Sequence, residues 1–186
     1  MAFTFEETKI PGLVVISPKV YIDERGYFAE TYTEREFELN GVPTHFVQDN
    51  ESLSSKGVLR GLHFQKEHTQ GKLVRVTEGI VFDVAVDLRP SSQTFGKWVG
   101  VVLDATSKRM FYIPEGFAHG FLVMSDFAKF NYKCTDYYCK SAEGGIPWND
   151  PAIGIQWPKI DKEYILSDKD KNYLEFMQQD FSWADK

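Results

Sequence analysis

Cysteine is nearly absent from this 186-residue chain: only Cys134 and Cys139 occur, too few for a disulfide scaffold. Their odd separation would set them on opposite faces of a regular strand, so two buried free thiols are expected rather than a bridge. Histidine is also sparse, with His45, His63, His68 and His119 the only side chains whose ordinary pKa lies near neutrality. No stretch approaches the ~20 apolar residues needed to span a bilayer, and the start Met-Ala-Phe-Thr-Phe-Glu-Glu-Thr-Lys lacks the basic and apolar runs of a signal peptide. Positive charge is also short. Against 27 acidic side chains stand 21 basic ones, a net charge of −6, which leaves no excess for sequence-independent phosphate-backbone binding. A soluble cytoplasmic protein is expected, without a membrane or nucleic-acid partner.

What is present is apolar and aromatic, 42% and 15% of residues, enough for a single domain over 1–186 with a real core. Leu13 to Asp23 and Gly26 to Tyr32 read as two strands joined by the turn Asp23-Glu24-Arg25-Gly26. Thr33-Glu34-Arg35-Glu36 matches a capping box and Gly41 supplies a stop, which predicts one short helix between them. Further strand-like runs follow: His45 to Asn50, Val58 to Gln65, Lys72 to Thr77, Ile80 to Arg89, Lys97 to Leu103, Arg109 to Ile113, His119 to Val123 and Lys129 to Tyr138. Many short strands at close spacing predict an all-β jelly-roll-like sandwich or barrel with a few short peripheral helices.

Ile80 to Arg89 shows the period best. Val81, Asp83, Ala85, Asp87 and Arg89 share one face, while Phe82, Val84, Val86 and Leu88 share the other, which is read as core. The face with Asp83 is read as solvated on this strand alone, because a mid-strand carboxylate otherwise needs a polar cavity. From about Ser141 the chain turns to Gly, Pro and Trp, which predicts an irregular extension laid over the sheet. A final short helix is expected over roughly 168–178, with Ser167 as N-cap.

Three segments could carry chemistry. In Leu59-Arg60-Gly61-Leu62-His63-Phe64-Gln65, alternation puts Arg60 on one face and His63 with Gln65 on the other. Lys72 opens the next strand and a turn could return it to His63. A base beside a cation suits proton abstraction next to a ketone, the histidine taking the proton and the ammonium steadying the enolate oxygen. Spacing alone favours the plainer reading, a core histidine and a solvated lysine.

Ile113-Pro114-Glu115-Gly116-Phe117-Ala118-His119-Gly120-Phe121 resembles the second cupin motif, whose histidine ligates a metal. The positions that would complete a metal site hold Gln65 and Gln70, and a neutral amide is a poor transition-metal ligand, so no metal is expected. Tyr132 reads first as a core aromatic with its hydroxyl at the rim, although a phenol opposite a histidine would make a proton donor. Gln48, Asn50, Arg25, Glu30, Arg60 and Tyr138 offer the planar donors and aromatic surface that a nucleotide requires, each weak by itself.

Taken in order, these segments resemble the dTDP-4-dehydrorhamnose 3,5-epimerase family of the dTDP-L-rhamnose pathway, which feeds cell-surface polysaccharide synthesis. Gln48-Asp49-Asn50, Gln70-Gly71-Lys72-Leu73-Val74, Asn131-Tyr132-Lys133, Gly145-Ile146-Pro147-Trp148-Asn149-Asp150-Pro151 and Leu166-Ser167-Asp168-Lys169-Asp170 extend the likeness from about Asp23 to Asp170. The resemblance implies a jelly-roll cupin fold, a homodimer, and a cofactor-independent isomerase acting on dTDP-4-dehydro-6-deoxy-D-glucose. It implies His63 as base, Asp170 as the residue that orients it, Tyr132 as acid and Lys72 as enolate partner. His119, with Asp83 behind it, would complete the polar wall and turn the Asp83 face inward. Arg25, Phe28, Glu30, Gln48, Asn50, Arg60, Tyr138, Glu143 and Lys169 would hold the nucleotide sugar, some across the dimer. The alternatives are a single-site epimerase or ketoisomerase on a related dTDP-4-keto sugar, and a sugar-binding jelly-roll module without turnover.

Overall fold

Strand pairing organises most of the chain in the computed structural model, which describes residues 2–185. In chain order the strands are β1 (Phe3–Glu7), β2 (Val14–Pro18), β3 (Val20–Asp23), β4 (Gly26–Ala29), β5 (Gln48–Ser55), β6 (Leu59–Gln65), β7 (Lys72–Glu78), β8 (Ile80–Asp87), β9 (Trp98–Asp104), β10 (Met110–Ile113), β11 (Phe117–Val123), β12 (Phe127–Cys134) and β13 (Glu143–Gly145). One short helix, α1 (Glu34–Leu39), lies between β4 and β5. Six strands make one sheet in the order β1-β2-β10-β7-β12-β5, five make a second, β13-β6-β11-β8-β9, and β3 with β4 forms a separate hairpin.

The two large sheets face one another across Val74, Ala85, Phe111, Phe121 and Phe130, a jelly-roll sandwich of the all-β class expected from the sequence. Phe121 of one sheet stacks on Phe130 of the other with ring centroids 4.2 Å apart. Burial of each such ring is worth about 2–3 kcal/mol, so the contact helps hold the sheets together. Each outer face is covered as well. Phe37 of α1 packs on Ile16, Leu73 and Met110 of the larger sheet, while Ile146, Ile153, Phe176 and Trp183 cover Leu62, Phe64, Val84 and Val86 of the smaller one.

That double coverage corrects the reading of β8. Phe82 packs against the covering segment, and Val84, Val86 and Leu88 are buried with it. Val81 and Ala85 belong to the core between the sheets, however, and Asp83 is fully buried on their side. The face that alternation alone read as solvated therefore points inward, as the family resemblance implied. Arg60 is corrected too. In the β11–β6 pairing His119 faces His63 but Phe121 faces Arg60, so β6 carries one extra residue there. A one-residue bulge reverses the alternation, and the Arg60 guanidinium reaches across to Ser54 Oγ of the facing sheet at 3.2 Å.

Other boundaries moved for equally local reasons. The strand expected from His45 starts at Gln48 and runs to Ser55, since its length is set by register with β12, from Gln48 opposite Cys134 to Ser55 opposite Phe127. Strand β1 was not anticipated, and Lys129 to Tyr138 stops as a strand at Cys134. Helix α1 forms without its capping box: the Thr33 hydroxyl donates to Glu30 (3.0 Å), and the Glu36 carboxylate accepts the Ala2 N–H (3.3 Å). The expected helix over 168–178 is absent. Ser167 Oγ does accept the Asp170 N–H at 3.1 Å, as an N-cap would, but one turn is followed by extended chain and a 3-10 turn at Phe176–Gln178, because Phe176 is drawn onto the sheet. Cys134 is buried as expected, while Cys139 is only half-buried, and both are free.

Candidate active site

The chemistry-bearing residues gather where the two sheets open. A cavity of about 330 Å³ is lined by His63, Gln65, Gln70, Lys72, Tyr132, Tyr138 and Glu143, with Gln48, Asn50 and Phe64. Strand β6 contributes His63 from the smaller sheet, and β7 and β12 contribute Lys72 and Tyr132 from the larger one. The imidazole therefore looks across the opening at the ammonium and the phenol.

His63 does not stand alone. Its Nε2 lies 2.6 Å from Asp170 Oδ1, which leaves Nδ1 as the nitrogen without that partner. Burial opposes ionisation of the Asp170 carboxyl, but the hydrogen bond and charge of His63, with Ser167 and Lys169, outweigh it and hold the group below the usual carboxylate range. Asp168, two residues earlier, points to solvent and meets only Lys171 at 3.3 Å.

Lys72 is desolvated. Burial lowers its pKa below the ordinary lysine range, with Cys134, Asp83 and Glu143 partly restoring the charge through space. A less basic ammonium is a stronger hydrogen-bond donor. Tyr132 shifts the other way: burial, aided by Cys134, raises its pKa despite Arg60, so the phenol keeps its proton. An imidazole, a desolvated ammonium and a proton-bearing phenol are thus arranged round one space large enough for a sugar ring.

A family model described as dTDP-4-dehydrorhamnose 3,5-epimerase matches residues 7–178. The chain belongs to the dTDP-4-dehydrorhamnose 3,5-epimerase family. It is 56% identical over 172 residues to the dTDP-4-dehydrorhamnose 3,5-epimerase of Methanothermobacter thermautotrophicus, covering 92% of this chain and 93% of that one. Among solved structures it resembles the dTDP-6-deoxy-D-glucose-3,5-epimerase of Legionella pneumophila in complex with dTDP-4-keto-L-rhamnose, with a TM-score of 0.87, 53% identity, and 90% and 89% of the two chains covered. The dTDP-4-dehydrorhamnose 3,5-epimerase of Elizabethkingia anophelis gives a TM-score of 0.91 at 50% identity, over 96% of this chain and 99% of that one.

Within this epimerase-family site, the other anticipated residues divide into two groups. Gln48, Asn50, Tyr138 and Glu143 line the cavity and are tied together: Gln48 accepts the Tyr138 N–H (2.9 Å) and donates to Asn50 (3.0 Å), while the Tyr138 hydroxyl donates to Glu143 (3.0 Å). Lys169 pairs with Glu143 at the same rim. Burial opposes charge on Glu143, but Lys169 and Tyr138 prevail and lower its pKa. His119 sits deeper, in a small recess shared with Gln65, Gln70 and Lys72. Its Nε2 meets both Asp83 carboxylate oxygens at 2.9 and 3.0 Å.

Arg25, Phe28 and Glu30 are not brought to the cavity. They sit on or beside the β3–β4 hairpin, where Arg25 pairs with Asp23 and Phe28 is 64% exposed. The two glutamines in place of metal ligands act as loop ties: Gln65 donates to the carbonyls of His68 and Tyr137 and accepts the Cys139 N–H, and Gln70 donates to the Asp136 carbonyl. Among the described residues, no group of three or more His, Cys, Asp or Glu could hold a metal ion. Tyr173, which packs against His63, was not anticipated, and no local pattern in the sequence marks it.

Proposed function

We propose that this protein is a dTDP-4-dehydrorhamnose 3,5-epimerase, an isomerase that converts dTDP-4-dehydro-6-deoxy-D-glucose to dTDP-4-dehydro-L-rhamnose. The observation that carries the reading is the His63–Asp170 pair facing Lys72 and Tyr132 across one cavity. Carbons 3 and 5 both flank the ketone at carbon 4, so one base and one oxyanion partner can serve both. His63, through Nδ1, takes the proton from one of these carbons, and the C–H electron pair moves into an enolate whose oxygen is held by the Lys72 ammonium. Tyr132 returns a proton from the opposite face, inverting the centre. Exchange with solvent resets both residues before the same sequence at the other carbon.

Asp170 holds the imidazole and balances the charge it gains. Gln48, Asn50, Arg60, Tyr138, Glu143 and Lys169 hold the nucleotide sugar, and His119 with Asp83 forms the polar floor behind Lys72. Arg25, Phe28 and Glu30 serve the cavity of a second copy. Tyr21, Ile22, Tyr27 and Phe28 leave the hairpin apolar and more than half exposed, and a homodimer that covers it explains both that surface and three binding residues that miss their own cavity. The whole chain acts as one domain, the segment from Ser141 covering a sheet instead of building a separate core. No helix among the described residues is long and apolar enough to cross a membrane, in keeping with work in the cytoplasm.

The test is incubation of chelator-treated protein with dTDP-4-dehydro-6-deoxy-D-glucose in heavy water, followed by NMR. Deuterium at carbons 3 and 5 with the L-lyxo product is expected. Label at one carbon alone would make it a single-site relative, and no label would reduce it to a binding module.

A further inference from the structure

One side chain at the site has no role in the scheme above. Tyr173 follows Asp170 by three residues on the terminal segment, and its ring packs edge-on against His63, with centroids 6.1 Å apart and planes at 71°. The same segment therefore touches the imidazole twice, through a carboxylate at Nε2 and through an aromatic ring. Room for the ring is made by Gly145 of β13, which pairs in register with His63. A Cβ at that position would lie 2.4 Å from Tyr173 Cε2 and Cζ and 2.7 Å from the Leu62 carbonyl oxygen, so only glycine lets the ring and the β6 backbone both approach so closely.

The Tyr173 hydroxyl is buried and hydrogen-bonds to no group of the protein among the described residues. A buried hydroxyl left unpaired destabilises by about 1–3 kcal/mol, so what this residue contributes to the packed site is its ring. A single hydrogen bond to Asp170 fixes one atom of the imidazole but leaves the ring free to turn about that contact. An aromatic wall on its edge removes that freedom and keeps Nδ1 aimed into the cavity.

We propose that Tyr173 is a positioning residue for His63, its ring setting the plane of the imidazole in the space that Gly145 leaves open. The inference rests on the reading of His63 as the base. It predicts that Tyr173→Leu lowers kcat, and with it solvent exchange at both carbons, at least tenfold with KM within twofold of wild type. Tyr173→Phe keeps the ring and restores most of the rate.

The decisive measurement is a double-mutant cycle. Asp170→Asn and Tyr173→Leu act through one imidazole, so together they should cost clearly less than the product of their separate effects. Multiplicative losses would overturn the proposal, as would a Tyr173→Leu enzyme with wild-type kcat or a Tyr173→Phe enzyme as slow as Tyr173→Leu. Wild-type protein that shows no exchange in heavy water would instead overturn the underlying assignment of His63. A melting temperature for each variant confirms that a loss of rate is not a loss of fold.

Discussion

Replacing Lys72 by methionine separates what the active site needs from what the fold prefers. Methionine keeps the length and most of the apolar stem but removes the charge. If the ammonium holds the enolate oxygen, its loss should raise the barrier by about 2.7–4 kcal/mol, the range for removing one oxyanion donor, which is roughly 10²–10³ in rate. Stability should move the other way. Because burial lowers the Lys72 pKa in the folded chain, the charged form is less favourable there than in the unfolded chain, so a neutral isostere should melt at the same temperature or higher. The pH dependence follows with the same sign. As pH rises, wild type should lose activity below the ordinary lysine range near ~10.4, while Tyr132, whose pKa is raised, still carries its proton. Deuterium uptake at carbons 3 and 5 across pH, with a thermal melt, measures both effects. Exchange within threefold of wild type in folded Lys72→Met would refute the oxyanion role, and a melting temperature lower by several degrees would refute the argument from burial.

The other predictions are shorter. His63→Ala should nearly abolish exchange at both carbons, whereas Tyr132→Phe should keep some exchange but release little doubly inverted product; equal losses would remove the division between base and acid. Asp170→Asn should slow exchange by about 10- to 150-fold, the equivalent of the ~1.5–3 kcal/mol of a charge-assisted hydrogen bond, while Asp168→Asn should be silent; similar effects would misplace the partner of His63. Away from the site, the fully buried Asp87 accepts hydrogen bonds from Arg89, Ser92 and Thr94, so Asp87→Ala should lower stability by about 3 kcal/mol in denaturant titrations. Its folded pKa is depressed, because these donors outweigh the opposing effect of burial, so its contribution is complete above ~3.9 and lost as pH falls through the lower folded value. Acid unfolding of the variant should therefore show less dependence on pH in that window.

Much of the architecture was legible in the chain because the signals are local. Period-two alternation placed β6, β7 and β8 within two residues of where they lie, since side-chain alternation is a property of a strand whatever its partner. The turn at Asp23–Gly26 and the stop at Gly41 were legible for the same reason. The boundaries that slipped are those a partner decides: β5 extends to Ser55 to match β12, and Phe176 leaves a helix to cover the smaller sheet. At the site, His63, Lys72 and Tyr132 were visible as residue types in family-like segments, but spacing alone left each with a plainer reading.

The sequence by itself determined the kind of chain this is: an acidic, aromatic, strand-rich protein with few histidines and with the motifs of one epimerase family. Those are properties of composition and short range, and they survive in an unfolded chain. Only the tertiary structure decided that Arg60 turns to the facing sheet through a one-residue bulge, and it chose for Asp83 the inward face, toward His119, that the resemblance implied over the solvated one that alternation suggested. It also brought Asp170, as the resemblance implied, to His63 across 107 residues of chain, and decided that Tyr173 takes the space above Gly145. Each depends on which face of a strand or turn meets a distant partner. A shift of one or two residues reverses that outcome while leaving the local pattern almost unchanged.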